Sequence, residues 1–444
     1  TAPELLELFW NDELLRWVCT ESNQYAIREG RDNPEITIEE LRTFLSILLL
    51  SGYMSVPNYR MYWGAGRDAR NDLVLESMSR DRFEVIKRNL HFCGTPNKED
   101  RYWKLRPLIQ ALQTSFMETF VPQEDVCHDE AMVKYFKRHG LKQAIRNKPI
   151  RFGFKAWPWE ENVKIAGRSG ASLLDLQEHM RDDVVHLPFH FHIDNYFTSL
   201  DLMTEMERRG YHVTGTIRPN RIPGNPPLLG IEAFKKKERG YFESTSTSDG
   251  KILLTRWMDN STVTLASSLL GDQPVGQVKR YSRKDKKSIM VRRPAVVKQY
   301  NDAMGGTDRM DQHINHCRVS VGGKKWWWAL FTWMLDASVQ NAWRLHRGAG
   351  GQLTLVQFRR EVVCYHLERA ASLRKTSSGG SATTRRGAPA GLILRYDNVG
   401  HLIIVAPNKA QGICQECHVS KPTSKCVKCN VFLCWGCFAS YHKP

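Results

Sequence analysis

Acidic residues are what this chain has too few of. Its 47 Asp and Glu face 64 Lys and Arg, a formal net charge of +17 at pH 7. Such an imbalance points to a polyanion, either nucleic acid or an acidic membrane surface. Long apolar runs are missing as well. None reaches the ~18–20 residues that a membrane-spanning helix requires, and the longest candidate, "LRTFLSILLLSGYM", has the length of a buried helix. No apolar leader opens the chain, which starts on Thr1 rather than Met and reads as beginning within a longer protein. With no spanning segment to hold it at a membrane, nucleic acid is the favoured partner. Cysteine is sparse over most of the length: of 11, six fall after position 413 and the other five are scattered singly. A disulfide framework spreads its pairs, so this distribution excludes one, suits a reducing interior, and asks for a metal at the tail. No internal repeat is present.

What remains is a folded protein. The 444 residues are 41% hydrophobic with 13 Trp, too long for one core and consistent with two to four domains. Residues 1–125 read as helical: "ELLELFWNDELLRWVCTESNQYA" repeats apolar residues at three and four spacing, and "TIEELRTFLSILLLSGY" opens on a capping box at Thr37. Over 126–218 the texture turns mixed. "RFGFKAW", "HLPFHFHID" and "HVTGTI" alternate as strands, and "SLDLMTEMERRGY" is a helix stopped by Gly210, so the order predicts an α/β core with a buried sheet. Residues 219–295 read as a β-rich insertion with an Asp-Gly turn, closing on the basic run "VKRYSRKDKKSIMVRRP". The core resumes at 296–317 and helices return at 318–372. Residues 373–391 are a Gly/Ser/Thr/Pro-rich tether, and 392–444 form a cysteine-rich module.

Three acidic stretches stand out. Asp129 in "VCHDEAMVKYF" marks the change from helical to strand texture, and Asp194 in "HFHIDNYFTS" ends a strand, where α/β sheets gather their ligands. In "YNDAMGGTDRMDQH", Asp308 and Asp311 lie one helical turn apart behind Gly305 and Gly306, near the positive end of a helix. Carboxylates brought from separate segments can hold two magnesium ions ~3.5–4 Å apart for in-line displacement at phosphorus. The plain alternatives are a turn or cap residue for each lone Asp and a solvated helix face for the pair.

"DEAMVKYFKRHGLKQAIRNKPIRFGFKAW", "HIDNYFTSLDLM", "YNDAMGGTDRMDQ" and "KKWWWALFTWMLDASVQNAW", in that order, closely resemble the piggyBac family of cut-and-paste DNA transposases. The likeness spans most of the chain and is closer to animal piggyBac-derived proteins than to the founding insect transposase. It implies an RNase H-like catalytic core split by the insertion, flanked by a helical dimerisation and DNA-binding domain. It also implies that Asp129, Asp194 and Asp308 are catalytic ligands of two Mg²⁺ ions, with Asp311 a fourth aspartate beside them. The implied reaction nicks each transposon end, closes hairpins, reopens them and joins the 3′ ends at TTAA. The implied partners are double-stranded transposon-end and target DNA and a second copy of the chain, in the nucleus. A domesticated DNA- or chromatin-binding protein with weak or no catalysis is the alternative. Trp326 matches a family tryptophan near the active site, suited to stacking on an unpaired base; Trp327 and Trp328 read as core. One segment departs. "PWEENVKIAGRSGASLLDLQEHMRDDVV", after Trp157, is short and polar, predicting a lost or frayed strand that loosens Asp129 against Asp194 and weakens cutting.

Two basic stretches are candidates for the phosphate backbone: Lys279, Arg280, Arg283 and Lys284 in the insertion, and Lys324 and Lys325 beside Trp326. The tail holds Cys414-x₂-Cys417, Cys426-x₂-Cys429 and Cys434-x₂-Cys437, then His442. Each pair lets two thiolates reach one tetrahedral zinc. Seven ligands are one short of two Zn²⁺ sites; His401 is the eighth, with His418 the runner-up. The expected arrangement is interleaved: Cys414 and Cys417 with Cys434 and Cys437, and Cys426 and Cys429 with His442 and His401. The family likeness makes the module a reader of transposon ends; a histone- or protein-binding finger is the alternative.

Overall fold

Apolar side chains at three and four spacing give each opening helix one inward stripe: α1 (Ala2–Glu7), α2 (Asp12–Arg28), α3 (Ile38–Leu50), α4 (Asp72–Ser77), α5 (Arg80–Asn89) and α6 (Arg106–Glu118). The structure is a computed structural model that describes residues 1–95, 97, 99–100, 102–119, 123–135, 142–144, 152–156, 163–224, 226–283, 285–377, 401–406, 410–429 and 431–443. The Thr37 capping box forms. Thr37 Oγ1 accepts from the Glu40 amide at 3.3 Å, and Glu40 accepts from the Thr37 amide at 3.1 Å. The same carboxylate takes two hydrogen bonds of 2.6 Å from Arg82, tying α3 to α5.

Strands β1 (Asp125–His128), β2 (Ala131–Lys134), β3 (Gln143–Ala144) and β4 (Phe152–Ala156) follow, then helix α7 (Val163–Glu178), strand β5 (His190–Ile193), helix α8 (Leu200–Arg208) and strand β6 (His212–Thr216). β1, β5 and β6 lie side by side and parallel, while β2, β4 and β3 make a small antiparallel sheet. Parallel neighbours need a crossover, and α7 lies between β1 and β5 in the chain. Among the described residues no strand lies between β4 and β5, where the sequence predicts a lost or frayed strand. Residues 157–162 lie outside the described set, and from Val163 to Glu178 the chain is helix, burying Leu173 and Leu174 against Phe191 and Ile193 of β5. Gly210 (φ +88°) ends α8 as read, with the Tyr211 amide donating to Met206 O at 2.9 Å and the Gly210 amide to Glu207 O at 2.9 Å.

The helical turn α9 (Ile231–Phe234) leads into β7 (Phe242–Ser246), β8 (Leu253–Met258) and β9 (Thr262–Ser267). β9 pairs antiparallel with β6, so the sheet order is β1-β5-β6-β9-β8-β7. Three strands of the β-rich stretch thus extend the central sheet, while β10 (Gly276–Ser282) and β11 (Lys287–Arg293) form a separate antiparallel ribbon.

Helices α10 (Ala295–Ala303), α11 (Gly306–His316), α12 (Trp328–Gly348) and most of α13 (Leu355–Ser377) complete the larger unit, Thr1–Ser372. One core joins the early and late helices, packing Phe44, Phe83 and Phe92 with Trp327, Trp328, Phe331 and Phe358. It encloses an ion pair, Arg359 to Asp336 at 2.8 Å, with Arg359 also donating to Leu49 O and Asp336 accepting from the Val319 amide. The second unit, Leu373–Pro444, holds β12 (Ile403–Val405), β13 (Ser424–Cys426), β14 (Val431–Phe432) and the turn α14 (Phe438–Tyr441). α13 continues to Ser377, so the expected tether opens as helix; residues 378–400 lie outside the described set. Among the described residues no helix is long and apolar enough to cross a membrane.

Candidate active site and cysteine centres

The parallel pairing of β1 with β5 runs from Asp125↔His190 to His128↔Ile193. The next residue on each strand is an aspartate, so the register carries Asp129 and Asp194 past the paired ends side by side. Glu130 joins them: a ligand oxygen from each of Asp129, Glu130 and Asp194 lies within 4.8 Å of the others. Asp194 is fixed by the turn that "DNYFTS" makes. Its Oδ1 accepts from the Tyr196 amide at 2.8 Å, its main-chain oxygen accepts from the amides of Phe197 and Thr198, and Ser199 then caps α8. Asp129 Oδ1 accepts from the Glu130 amide at 2.8 Å where β1 breaks before β2. Glu130 is only 7% exposed. Crowding three carboxylates is costly unless a cation offsets their repulsion.

The surroundings are apolar and specific. His128 donates or accepts through Nε2 with Ser172 Oγ at 2.9 Å and packs edge-on to Phe197; burial pushes its pKa down to about 4, so the ring is neutral near pH 7. Tyr300 donates to Ile193 O at 3.2 Å, and burial, followed by the charges of Asp194 and Asp129, pushes its phenol up to about 12.

α11 starts at Gly305 in the left-handed region (φ +101°), as only glycine does readily. Gly306 lets the helix approach β1; a Cβ there would come within 3.3 Å of Cys127 Cβ. Asp308 sits in the first turn of α11, as read, and Asp311 Oδ2 accepts from the Met132 amide of β2 at 3.4 Å. Among the described residues the trio that closes within 4.8 Å is Asp129, Glu130 and Asp194, and Asp308 stands outside it. Sequence reasoning missed Glu130 and Tyr300. The acidic neighbour in "HDEAM" was a visible signal for the first; nothing in "VVKQYND" announced the second.

A family model described as Transposase IS4 matches residues 1–163 and 172–343. PiggyBac transposable element-derived protein 3 of Homo sapiens is 39% identical over 463 aligned positions, covering 100% of this chain and 76% of that protein. This chain belongs to the piggyBac family. PiggyBac transposable element-derived protein 2 of Homo sapiens is 33% identical, with 99% of this chain and 76% of that protein covered. A solved piggyBac transposase synaptic complex with hairpin DNA superposes with a TM-score of 0.67 at 18% identity, covering 98% of this chain and 97% of that one. The fold is therefore that of a piggyBac transposase.

In this piggyBac-family chain the basic candidates separate. Lys279 is exposed on β10 and Arg283 is exposed in the turn beyond it; Lys284 lies outside the described residues. Arg280 is engaged with Asp259 at 3.2 Å. Lys324 is exposed. Lys325, the other candidate beside Trp326, is half-buried. Its Nζ donates to Arg88 O at 2.9 Å and Leu90 O at 3.0 Å, closing the carbonyl end of α5, and it lies over the rings of Tyr25 and Trp327. Burial pushes its pKa down to about 8. Trp326 is half-buried, 6.2 Å from the Phe154 ring of β4, while Trp327 and Trp328 are core at 2% and 5% exposure.

The cysteines of the same piggyBac-family chain divide as expected, into Cys414, Cys417, Cys434 and Cys437, and into Cys426, Cys429, His401 and His442. Cys417 Sγ and Cys434 Sγ are 3.9 Å apart, and His401 Nδ1 lies 3.5 and 3.4 Å from Cys426 and Cys429 Sγ. Ligands of one tetrahedral zinc are separated by roughly 3.8 Å for two thiolates and ~3.6 Å for thiolate and imidazole, so both groups fit. His442 turns Nε2 to Cys429 at 3.4 Å while Nδ1 donates to Phe438 O at 2.8 Å, the outer hydrogen bond typical of a ligating histidine. His418, the runner-up, is exposed and belongs to neither group.

Proposed function

We propose that the chain is a DNA transposase that performs cation-dependent phosphodiester cleavage and strand transfer. The observation that carries this reading is the β1–β5 register, which sets Asp129 and Asp194 abreast with Glu130 within 4.8 Å. Oxygen-only ligands this close suit a hard cation such as Mg²⁺. Asp129 and Asp194 would hold it, Asp308 would complete the set, and Asp311 holds α11 against the amide of Met132. When bound, the ions supply charge neutralisation for in-line displacement at phosphorus, which serves nicking and joining alike. The chain's own part is positioning. The Asp194 turn is pinned by backbone amides, Tyr300 donates to the carbonyl of Ile193 just before Asp194, His128 bonds Ser172 just before Asp129, and α7 backs the sheet.

Three adjacent parallel strands, β1, β5 and β6, with α7 and α8 between them in the chain, support an RNase H-like core for this reading. The likeness to a transposase described with hairpin DNA supports excision through hairpin ends, with joining at TTAA by family analogy. On the same reading the chain works as a homodimer on DNA in the nucleus, and the cysteine module carries two structural Zn²⁺ ions and reads transposon ends. A second reading is a domesticated DNA- or chromatin-binding protein. It is favoured by the curated relatives, which are named as element-derived proteins, and by Asp308 standing outside the carboxylate trio.

A reporter flanked by candidate terminal repeats separates the two. Mg²⁺-dependent excision by the wild type, abolished by Asp194→Asn with DNA binding retained, is the expected result. Equal excision by both would remove Asp194 from the mechanism. DNA binding without excision by either would leave the domesticated reading.

A further inference from the structure

The face of the β1–β5 pair that carries the two aspartates has a second set of ligands behind them. His190 and His192 are two residues apart on β5, so both rings leave the same side of the sheet. Asp125 opens β1, in register with His190. Its Oδ1 lies 2.7 Å from His192 Nε2 and 3.4 Å from His190 Nδ1, and the three ligand atoms fall within 4.8 Å of one another. The histidine side chains are 5% and 1% exposed, whereas Asp125 is 59% exposed. Two buried imidazoles therefore meet a carboxylate at a point open to water on one side.

The His190 ring is already held for ligation. His190 Nε2 is 2.7 Å from Thr214 Oγ1 on β6, which is 2.6 Å from Ser267 Oγ on β9. A hydrogen bond on the outer nitrogen orients a ligating histidine and sets which nitrogen faces the ion. His192 buries its second nitrogen, Nδ1, without a hydrogen-bond partner. That leaves Nε2, the nitrogen facing Asp125, as the one open to a coordinate bond.

We propose that Asp125, His190 and His192 bind one divalent transition-metal ion of the zinc class, clamping β1 to β5. Two imidazoles and a carboxylate select such an ion over magnesium, with water completing a tetrahedron. The clamp has a structural purpose. β1 lies at the end of the sheet order with β5 as its one neighbour there, through a ladder of the four residues Asp125–His128. That short ladder alone sets the register of Asp129 against Asp194, four residues further along β1 and two along β5. An ion bridging the strands would hold it. The proposal does not rest on the transposase reading, because it concerns binding alone.

The test is metal content of the full chain, saturated with Zn²⁺, then dialysed against chelator-free buffer containing millimolar Mg²⁺ to keep zinc off the catalytic carboxylates. Wild type is compared with Asp125→Asn and His192→Gln. Zinc in the cysteine module is common to all three, so the difference isolates this site. Each variant is expected to carry one zinc fewer than wild type. With Co²⁺ in place of zinc, the wild-type-minus-variant spectrum should lack thiolate charge-transfer bands. Equal metal content in wild type and Asp125→Asn, both folded by circular dichroism, would overturn the proposal and leave a hydrogen-bonded His–Asp cluster only. If His192→Gln does not fold, Asp125→Asn decides, since its side chain lies largely in solvent.

Discussion

Asp129 and Asp194 stand abreast because His128 and Ile193 are the last paired residues of β1 and β5. Two carboxylates 65 residues apart in the chain thus take their relative position from a backbone ladder. Anything that slips this register by one residue turns one of them to the opposite face.

Glu130 is the buried third member of the trio. Glu130→Gln keeps its shape and removes its charge. Excision is expected to fall roughly 10- to 100-fold, the range for loss of a group that supports a metal ligand, with more Mg²⁺ needed for half-maximal rate. Unchanged excision across a Mg²⁺ titration would assign Glu130 to packing alone.

Asp311 reaches the Met132 amide through Oδ2. If this tether positions α11, Asp311→Asn keeps an acceptor and retains more activity than Asp311→Ala, which also loses about 1 kcal/mol of stability. Excision rates and urea midpoints of the two variants check this. Equal loss in both, with unchanged midpoints, would show that the negative charge is what counts.

Arg359 and Asp336 form a pair with side chains 3% and 0% exposed, beneath α3 and the segment leading from α11. Burial raises the Asp336 pKa while Arg359 opposes the rise. Arg359→Met strands a buried carboxylate and should cost about 3–5 kcal/mol. Arg359→Met with Asp336→Leu should recover much of that in urea unfolding, because both charges leave together.

Lys325 supplies a pH test. Its folded pKa of about 8 lies below the ordinary lysine value, so between about 8 and 10.4 the unfolded chain binds the extra proton. Stability from this residue therefore rises with pH across that window. The stability of wild type minus that of Lys325→Met, which cancels the other titrations, should increase from pH 8 to 10. A flat difference would mean that the ammonium is not confined as the structure has it.

In the cysteine module His401 meets Cys426 and Cys429, whereas His418 faces solvent. His401→Ala should lower the module's zinc by one ion and weaken its fold, while His418→Ala leaves zinc content unchanged by elemental analysis. The reverse result would reassign the eighth ligand.

Much of this was legible in the residues themselves. The Thr37 capping box, the Gly210 stop, the strand end at Asp194 and the helix start at Gly305 are local events, governed by hydrogen bonds and φ angles within a few residues. The two Cys/His groupings were legible too, because C-x₂-C spacing limits which thiolates reach one ion. Lys325 was not. Its hydrogen bonds reach the carbonyl end of α5, a segment more than 200 residues earlier, which no local pattern announces.

The sequence by itself therefore determined most element types, the family and the residues able to bear charge or bind metal. Only the tertiary structure decided which of those residues meet. It gathered Glu130 into the trio, made the segment after Trp157 a helix backing the sheet, joined the β-rich stretch to β6, and set Asp125 against His190 and His192. The reason is physical: capping and chelate spacing act over a few residues, whereas strand register and helix docking depend on partners distant in the chain.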